Sequence, residues 1–253
     1  MKKSHTILKV TVITVLAVLL SLVFLFFALR VDPYTEYSEG YFRYIVVSDK
    51  FTKPAMFEKK YVAIIDFTYE GKQQEVIDIP KELGGLSVRF IGGLRNDSAT
   101  GATYNFGSEN LKKVYIHENI ERIYNGAFDN TPLEEAMMCT VKNLRDINAF
   151  YFGADKYYVY NSLLDSIEAD DRVVAANIVF MKNYSTDIND GYYSLDNISE
   201  GEKIPVPSEP KRGGYEFTGW YTESECKTAW NFENSPTLIE GEEFRLYAGW
   251  RKL

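Results

Sequence analysis

The sequence predicts a mainly β protein with an N-terminal transmembrane helix, a short solenoid of repeats and a small β module at the C-terminal end. Three observations carry that expectation. Residues Val10 to Leu29 are twenty in a row without a charge, apolar residues recur about every 22 positions after Leu111, and the pattern turns aromatic-rich and unrepeated near Ala176.

The apolar run comes first. At about 1.5 Å rise per residue it reaches roughly 30 Å, the thickness of a bilayer's hydrocarbon core. Lys2, Lys3 and Lys9 precede it and Arg30 closes it. The basic side tends to stay cytoplasmic, so the chain from Val31 onward is expected outside. A secretory signal has a shorter apolar core, about 7–15 residues, and a small-residue cleavage site. Phe26-Phe27-Ala28-Leu29-Arg30 has no A-x-A pattern. An uncleaved single-pass anchor in the plasma membrane is therefore expected, with a secreted product as the alternative if the segment is removed. Neither cysteine lies near the segment, so no lipid is attached there.

Composition bounds the exterior part. Beyond residue 30 lie 24 Lys and Arg against 36 Asp and Glu, a net charge of −12. That balance argues against nucleic acid or anionic lipid as partners. An aromatic share of 15% argues against disorder. Histidine is confined to His5 and His117, so a two-histidine zinc site outside the membrane is excluded. Cys139 and Cys226, 87 residues apart, read as two separate thiols. No cofactor is expected.

Asp32 to Gly40 is polar and turn-rich and reads as a stalk over 31–40. Two β-rich runs follow, Tyr41 to Val47 and Tyr61 to Thr68, the second with alternating residues. A repeat then emerges. Leu111, Val114, Ile116, Ile120 and Ile123 lead into Gly126-Ala127-Phe128, and 22 residues after Leu111 come Leu133, Ala136 and Met138, followed by Leu144, Ile147 and Ala149-Phe150. An earlier copy runs through Val76-Ile77, Ile79-Pro80, Leu83 and Val88 to Ile91-Gly92. Such a period suits stacked coils, none of which buries its apolar face alone.

These residues resemble the BspA-type leucine-rich repeats of bacterial surface proteins, with their Ile-Pro strand end, Ile-Gly step and Ala-Phe pair. Ile79-Pro80 with Ile91-Gly92, and Ile123 with Ala127-Phe128, follow the pattern. His117 and Cys139 stand where that family has proline, and Asn96 to Gly107 interrupts the first coil. Tyr157 to Tyr160 and Asn161 to Ile167 are similar to the family's closing strand and short helix. The resemblance covers residues 41–172 and implies a short, capped leucine-rich-repeat solenoid.

The last part, 173–253, opens with a strand at Asn177 to Phe180, a hairpin turn at Asn189-Asp190-Gly191 and a partner strand at Tyr192 to Leu195. Pro207 and Pro210, Gly214-Tyr215-Glu216-Phe217-Thr218-Gly219-Trp220 and Leu246-Tyr247-Ala248-Gly249-Trp250 follow. This string resembles the Listeria-Bacteroides repeat of internalin-like proteins, which implies a β-grasp-like unit serving as a spacer or adhesive module. Its aromatics, Tyr215, Phe217, Trp220, Tyr221, Phe232, Tyr247 and Trp250, are expected to fill its core, because large rings bury the most area per residue. The module is expected to fold independently of the solenoid, with few contacts across the charged stretch Glu168 to Arg172.

One chemical coincidence stands out. His117 and Cys139 occupy equivalent positions one repeat apart, so stacked coils put their backbones about 5 Å apart. An imidazole there could activate a thiolate, the arrangement of a Cys-His hydrolase. No third residue is evident to orient the histidine, and a structural pair is expected, with the thiol titrating near its free value of about 8.5. The acidic positions Asp165, Glu168, Asp170 and Asp171, and Asp187, Asn189 and Asp190, lack calcium-loop spacing and read as a solvated helix end and a turn. The sequons at Asn96, Asn183 and Asn197 are inert in the bacterial setting that both resemblances imply.

No catalytic, cofactor or metal site is therefore expected. The expectation is a non-enzymatic, adhesin-like protein that binds an extracellular protein or glycan non-covalently, with the solenoid sheet as recognition surface. A structural spacer without a dedicated ligand is the other reading. Membrane fractionation with N-terminal sequencing tests the anchor. The intact chain should be recovered in the membrane, and a soluble product beginning near residue 30 would refute it.

Overall fold

The computed structural model describes residues 15–23, 35–48, 59–92, 106–117, 119–124, 127–139, 152–166, 171–184 and 191–253. Residues 15–23 form a helix. Among the described residues no helix is long and apolar enough to cross a membrane. The flanks of the apolar run, Val10 to Thr14 and Phe24 to Leu29, lie outside the described residues, as do Asn96 to Asn105, Leu144 to Phe150, Glu168 and Asp170, Asp187 and the Asn189-Asp190 turn.

The rest is β structure. Strands β1 (Glu36–Glu39), β2 (Phe42–Ser48) and β3 (Lys60–Phe67) form an antiparallel meander. β1 falls within the stretch read as a stalk. Gly40, at φ +54°, reverses the chain so that Glu36–Glu39 pairs with β2, and Arg43 of β2 binds both Glu36 and Asp66. β4 (Val76–Asp78), β5 (Glu82–Leu83) and β6 (Leu86–Ile91) come next, and β6 joins β3 in parallel.

The second sheet is parallel throughout. β7 (Lys113–His117), β8 (Arg122–Ile123), β9 (Glu135–Cys139), β10 (Lys156–Val159) and β11 (Val173–Ala175) complete this part of the chain, and β4, β7, β9, β10 and β11 lie side by side in that order. Lys113 pairs with Glu135 and Glu135 with Lys156, steps of 22 and 21 residues. β8 joins β6 of the first sheet, so the passages from β4 to β6 and from β7 to β8 each contribute to both sheets.

Equivalent residues stack between the sheets. Phe67, Phe106, Phe128 and Phe152 form a ladder with ring centroids 4.5, 4.8 and 5.1 Å apart. Phe152 adjoins Phe128, while the Phe150 picked out by the repeat lies outside the described residues. Leu111, Val114, Ile116, Ile120, Ile123 and Phe128 are all buried in the same core. The Ile-Gly and Ala-Phe pairs touch there: Gly92, at φ +88°, has no room for a side chain because a Cβ would lie 3.0 Å from that of Ala127.

The third sheet is mixed. β12 (Ile178–Met181), β13 (Tyr192–Asp196), β14 (Tyr215–Tyr221) and β15 (Phe244–Lys252) are ordered β13-β12-β15-β14, with β12 parallel to β15. Gly249 lets β14 close on β15, since a Cβ there would run into the Tyr221 ring. Ile178, Phe180, Leu246, Ala248 and Trp220 make the buried centre. Of the expected core aromatics, Phe217, Phe232 and Trp250 pack around that centre half-buried, and Trp230 and Phe244 join them.

A further core links the two parts. The outer side chains of the parallel sheet, Met137 and Cys139, are buried with Tyr160, Val179, Tyr192 and Leu195. β11 also pairs with β10, so residues 173–175 complete the parallel sheet. The sheet face expected as a recognition surface is thus covered by β12 and β13 where it carries Met137 and Cys139.

Ile116 tests the stacked core. It is fully buried in the middle of β7. Ile116→Ala should lower stability by about 2–5 kcal/mol, the usual cost of such a truncation. A denaturant midpoint equal to that of the parent protein would contradict the assignment.

Candidate functional site: the cleft between the two β modules

A cleft of about 740 Å³ opens where the two parts meet. One wall comes from the first part: Glu39, Asp78, Lys81, Glu82, His117 and Asn119. The other comes from the C-terminal module: Lys182, Tyr184, Tyr193, Ser208, Glu209 and Lys211. Local structure places them. β4 ends at Asp78 and Ile79-Pro80 carries the chain out to Lys81 and Glu82, because proline cannot extend the sheet ladder. Across the gap Lys81 Nζ sits 5.0 Å above the Tyr193 ring, whose hydroxyl donates to the Ser208 carbonyl at 2.8 Å.

His117 is 5% exposed at the end of β7, and Cys139 lies opposite it on β9. The strand pairing brings together the two residues the repeat picked out. It also supplies the orienting group missing from the sequence reading: His117 Nε2 lies 2.5 Å from Asp78 Oδ1. His117 Nδ1 is buried and has no partner among the described residues. Asp78 is 39 residues from His117, a separation outside the 22-residue period, so spacing gave no signal for it.

The thiol has a different environment. Cys139 Sγ lies 3.4 Å from Ser194 Oγ and 4.0 Å from the Leu195 carbonyl, against the C-terminal module. Burial pushes its pKa up to about 12, outweighing those two hydrogen bonds. The expected value near 8.5 is corrected accordingly, because the second module closes over the thiol and removes the water that would solvate a thiolate. A thiol held neutral at physiological pH is a poor nucleophile.

Beside it lies a polar cluster that no sequence spacing suggested. Asp196, 2% exposed, accepts from Lys113 Nζ at 3.1 Å, Tyr115 Oη at 2.6 Å and the Asn197 amide at 2.7 Å. Lys113 also pairs with Glu135 at 2.8 Å. Burial opposes the Lys113 charge, but Asp196 and Glu135 outweigh it and hold its pKa above the ordinary value. Burial, with Asp196 adding to it, pushes the Tyr115 hydroxyl far up, so it stays a donor. Pro80 and Pro210 also line the cleft. Among the described residues no group of three or more His, Cys, Asp or Glu side chains forms a metal site.

The raised Cys139 pKa has a thermodynamic sign. Below the unfolded value near 9 both states hold the proton and the full stability is present. Above it only the unfolded chain releases the proton readily, so stability falls as pH rises toward about 12. Denaturant midpoints should drop across that window, and less steeply in Cys139→Ala. A thiol reagent at pH 8 should modify Cys226 in the native protein but Cys139 only after unfolding. Native labelling of Cys139 with an apparent pKa below about 6.5 would restore the activated-thiol reading.

The cleft wall formed by Lys182 to Lys211 belongs to a segment with a recognisable relative. Residues 177–249 match the family model of the Listeria-Bacteroides repeat domain, which spans all but the ends of the third sheet.

Proposed function

We propose that this chain is a membrane-anchored bacterial surface protein that binds an extracellular protein or glycan non-covalently through the cleft between its two β parts. The cleft carries the reading. It has the volume of small-ligand sites, about 300–1000 Å³, and draws polar side chains from both parts. The C-terminal match supports a surface setting, since the same motifs resemble internalin-like repeats. The uncharged run Val10 to Leu29 with its basic flank supports a single-pass anchor with the β parts outside.

The remaining features fit that proposal. Parallel strands at steps of 22 and 21 residues and the stacked Phe ladder support a short leucine-rich-repeat solenoid for residues 41–172. The raised Cys139 pKa supports a non-catalytic protein. A second reading, a structural spacer, is favoured by the covering of the parallel sheet face with the chain's own β12 and β13.

Photo-crosslinking on intact cells separates the two. A photoreactive residue at Glu209, on the cleft wall, should give adducts with extracellular material, while one at Tyr69, 78% exposed and not part of the cleft, should not. Equal adducts at both positions, or none at either, would refute the binding reading and leave the spacer.

A further inference from the structure

We infer that the cleft takes a short, uncharged glycan segment lying across Tyr184, with its hydroxyls held by the carboxylates and amines of the two walls. This rests on the preceding proposal that the cleft is the contact site and adds the chemical class of what enters it.

Charge excludes the alternatives first. Carboxylates at Glu39, Asp78, Glu82 and Glu209 share the lining with amines at Lys81, Lys182 and Lys211. Neither a polyanion nor a polycation gains from such a lining, because each cation it meets comes with a carboxylate nearby. Peptide partners usually anchor through an aromatic or aliphatic side chain in a desolvated apolar pocket. Apart from Tyr184, the large apolar side chains of this lining are not open for that. Ile79 is fully buried in the core, and Tyr193 is 5% exposed with Lys81 over its ring.

A sugar ring has the complementary chemistry. It presents a C–H face to an aromatic ring and a rim of hydroxyls, each of which both donates and accepts. Tyr184 is 40% exposed and is held by the Trp250 ring at 5.7 Å and the Arg212 guanidinium at 4.7 Å, so the platform is fixed before a ligand arrives. Carboxylates at Glu82 and Glu209 accept from hydroxyls, and ammonium groups donate to them. His117 forms part of the same lining, and the contact of its Nε2 with Asp78 Oδ1 at 2.5 Å holds that wall in place before a ligand arrives.

The test uses the full chain in nanodiscs, titrated with a panel of neutral di- to hexasaccharides and, in parallel, a library of tri- to hexapeptides. Saccharide binding should weaken at least tenfold in Tyr184→Ala and in Glu82→Gln, with the far-ultraviolet circular dichroism spectrum and thermal midpoint unchanged. Lys211→Gln, on the opposite wall, should also weaken it and stands in if either variant fails to fold. Saccharide binding indifferent to all three substitutions would overturn the placement. Peptide binding at the cleft without saccharide binding would overturn the ligand class but leave the binding proposal standing. Failure of both panels would overturn the glycan assignment, and the binding proposal itself falls only if the Glu209 photo-adducts are also absent.

Discussion

A carboxylate that leaves water must recover its hydrogen bonds elsewhere, and Asp196 does so at the junction of the two β parts. It sits on β13 of the C-terminal module, yet two of its three donors, Lys113 and Tyr115, belong to β7 of the parallel sheet. Removing one partner of a buried charged pair commonly costs about 3–5 kcal/mol, because the other is left without compensation. Around Asp196, Met137, Cys139, Tyr160, Val179, Tyr192 and Leu195 supply the apolar burial that holds the parts together. Tyr160 and Tyr192 stack at 4.0 Å, and Ser162 meets the Tyr192 hydroxyl at 2.9 Å.

That docking decides what the rest of the surface can do. By covering the outer face of β9 it keeps Cys139 a neutral thiol and removes that part of the sheet from contact with other molecules. By the same placement it brings the Lys182 to Lys211 wall opposite Asp78 and His117, and the cleft is lined by both parts. The recess combines mixed charges around one exposed ring.

How much of this was legible in the chain depends on the range of the interaction. The 22-residue step from Lys113 to Glu135 was readable because stacked coils need apolar residues at equivalent points, so Val114 and Ile116 return as Ala136 and Met138. The pairing of His117 with Cys139 follows from the same register. The β12 and β13 hairpin was readable from two β-rich runs around a turn. Asp78, Ser194 and Asp196 were not, since nothing in the alternation of a strand tells which outward residue will meet another module. Met137 and Leu195 look like ordinary strand residues until the docking is seen. Phe152, which the repeat did not single out, adjoins Phe128 in the aromatic ladder.

The contacts at Asp196 and the core around it should make the two β parts one cooperative unit. The three tryptophans, Trp220, Trp230 and Trp250, all lie in the C-terminal module, whereas far-ultraviolet circular dichroism also reports the parallel sheet. Urea unfolding of the full chain followed by both signals is therefore the most direct measurement, since coincident transitions mark a single two-state event. The two curves should superimpose. A tryptophan transition clearly displaced from the circular dichroism transition would show two independently stable parts and contradict that cooperativity.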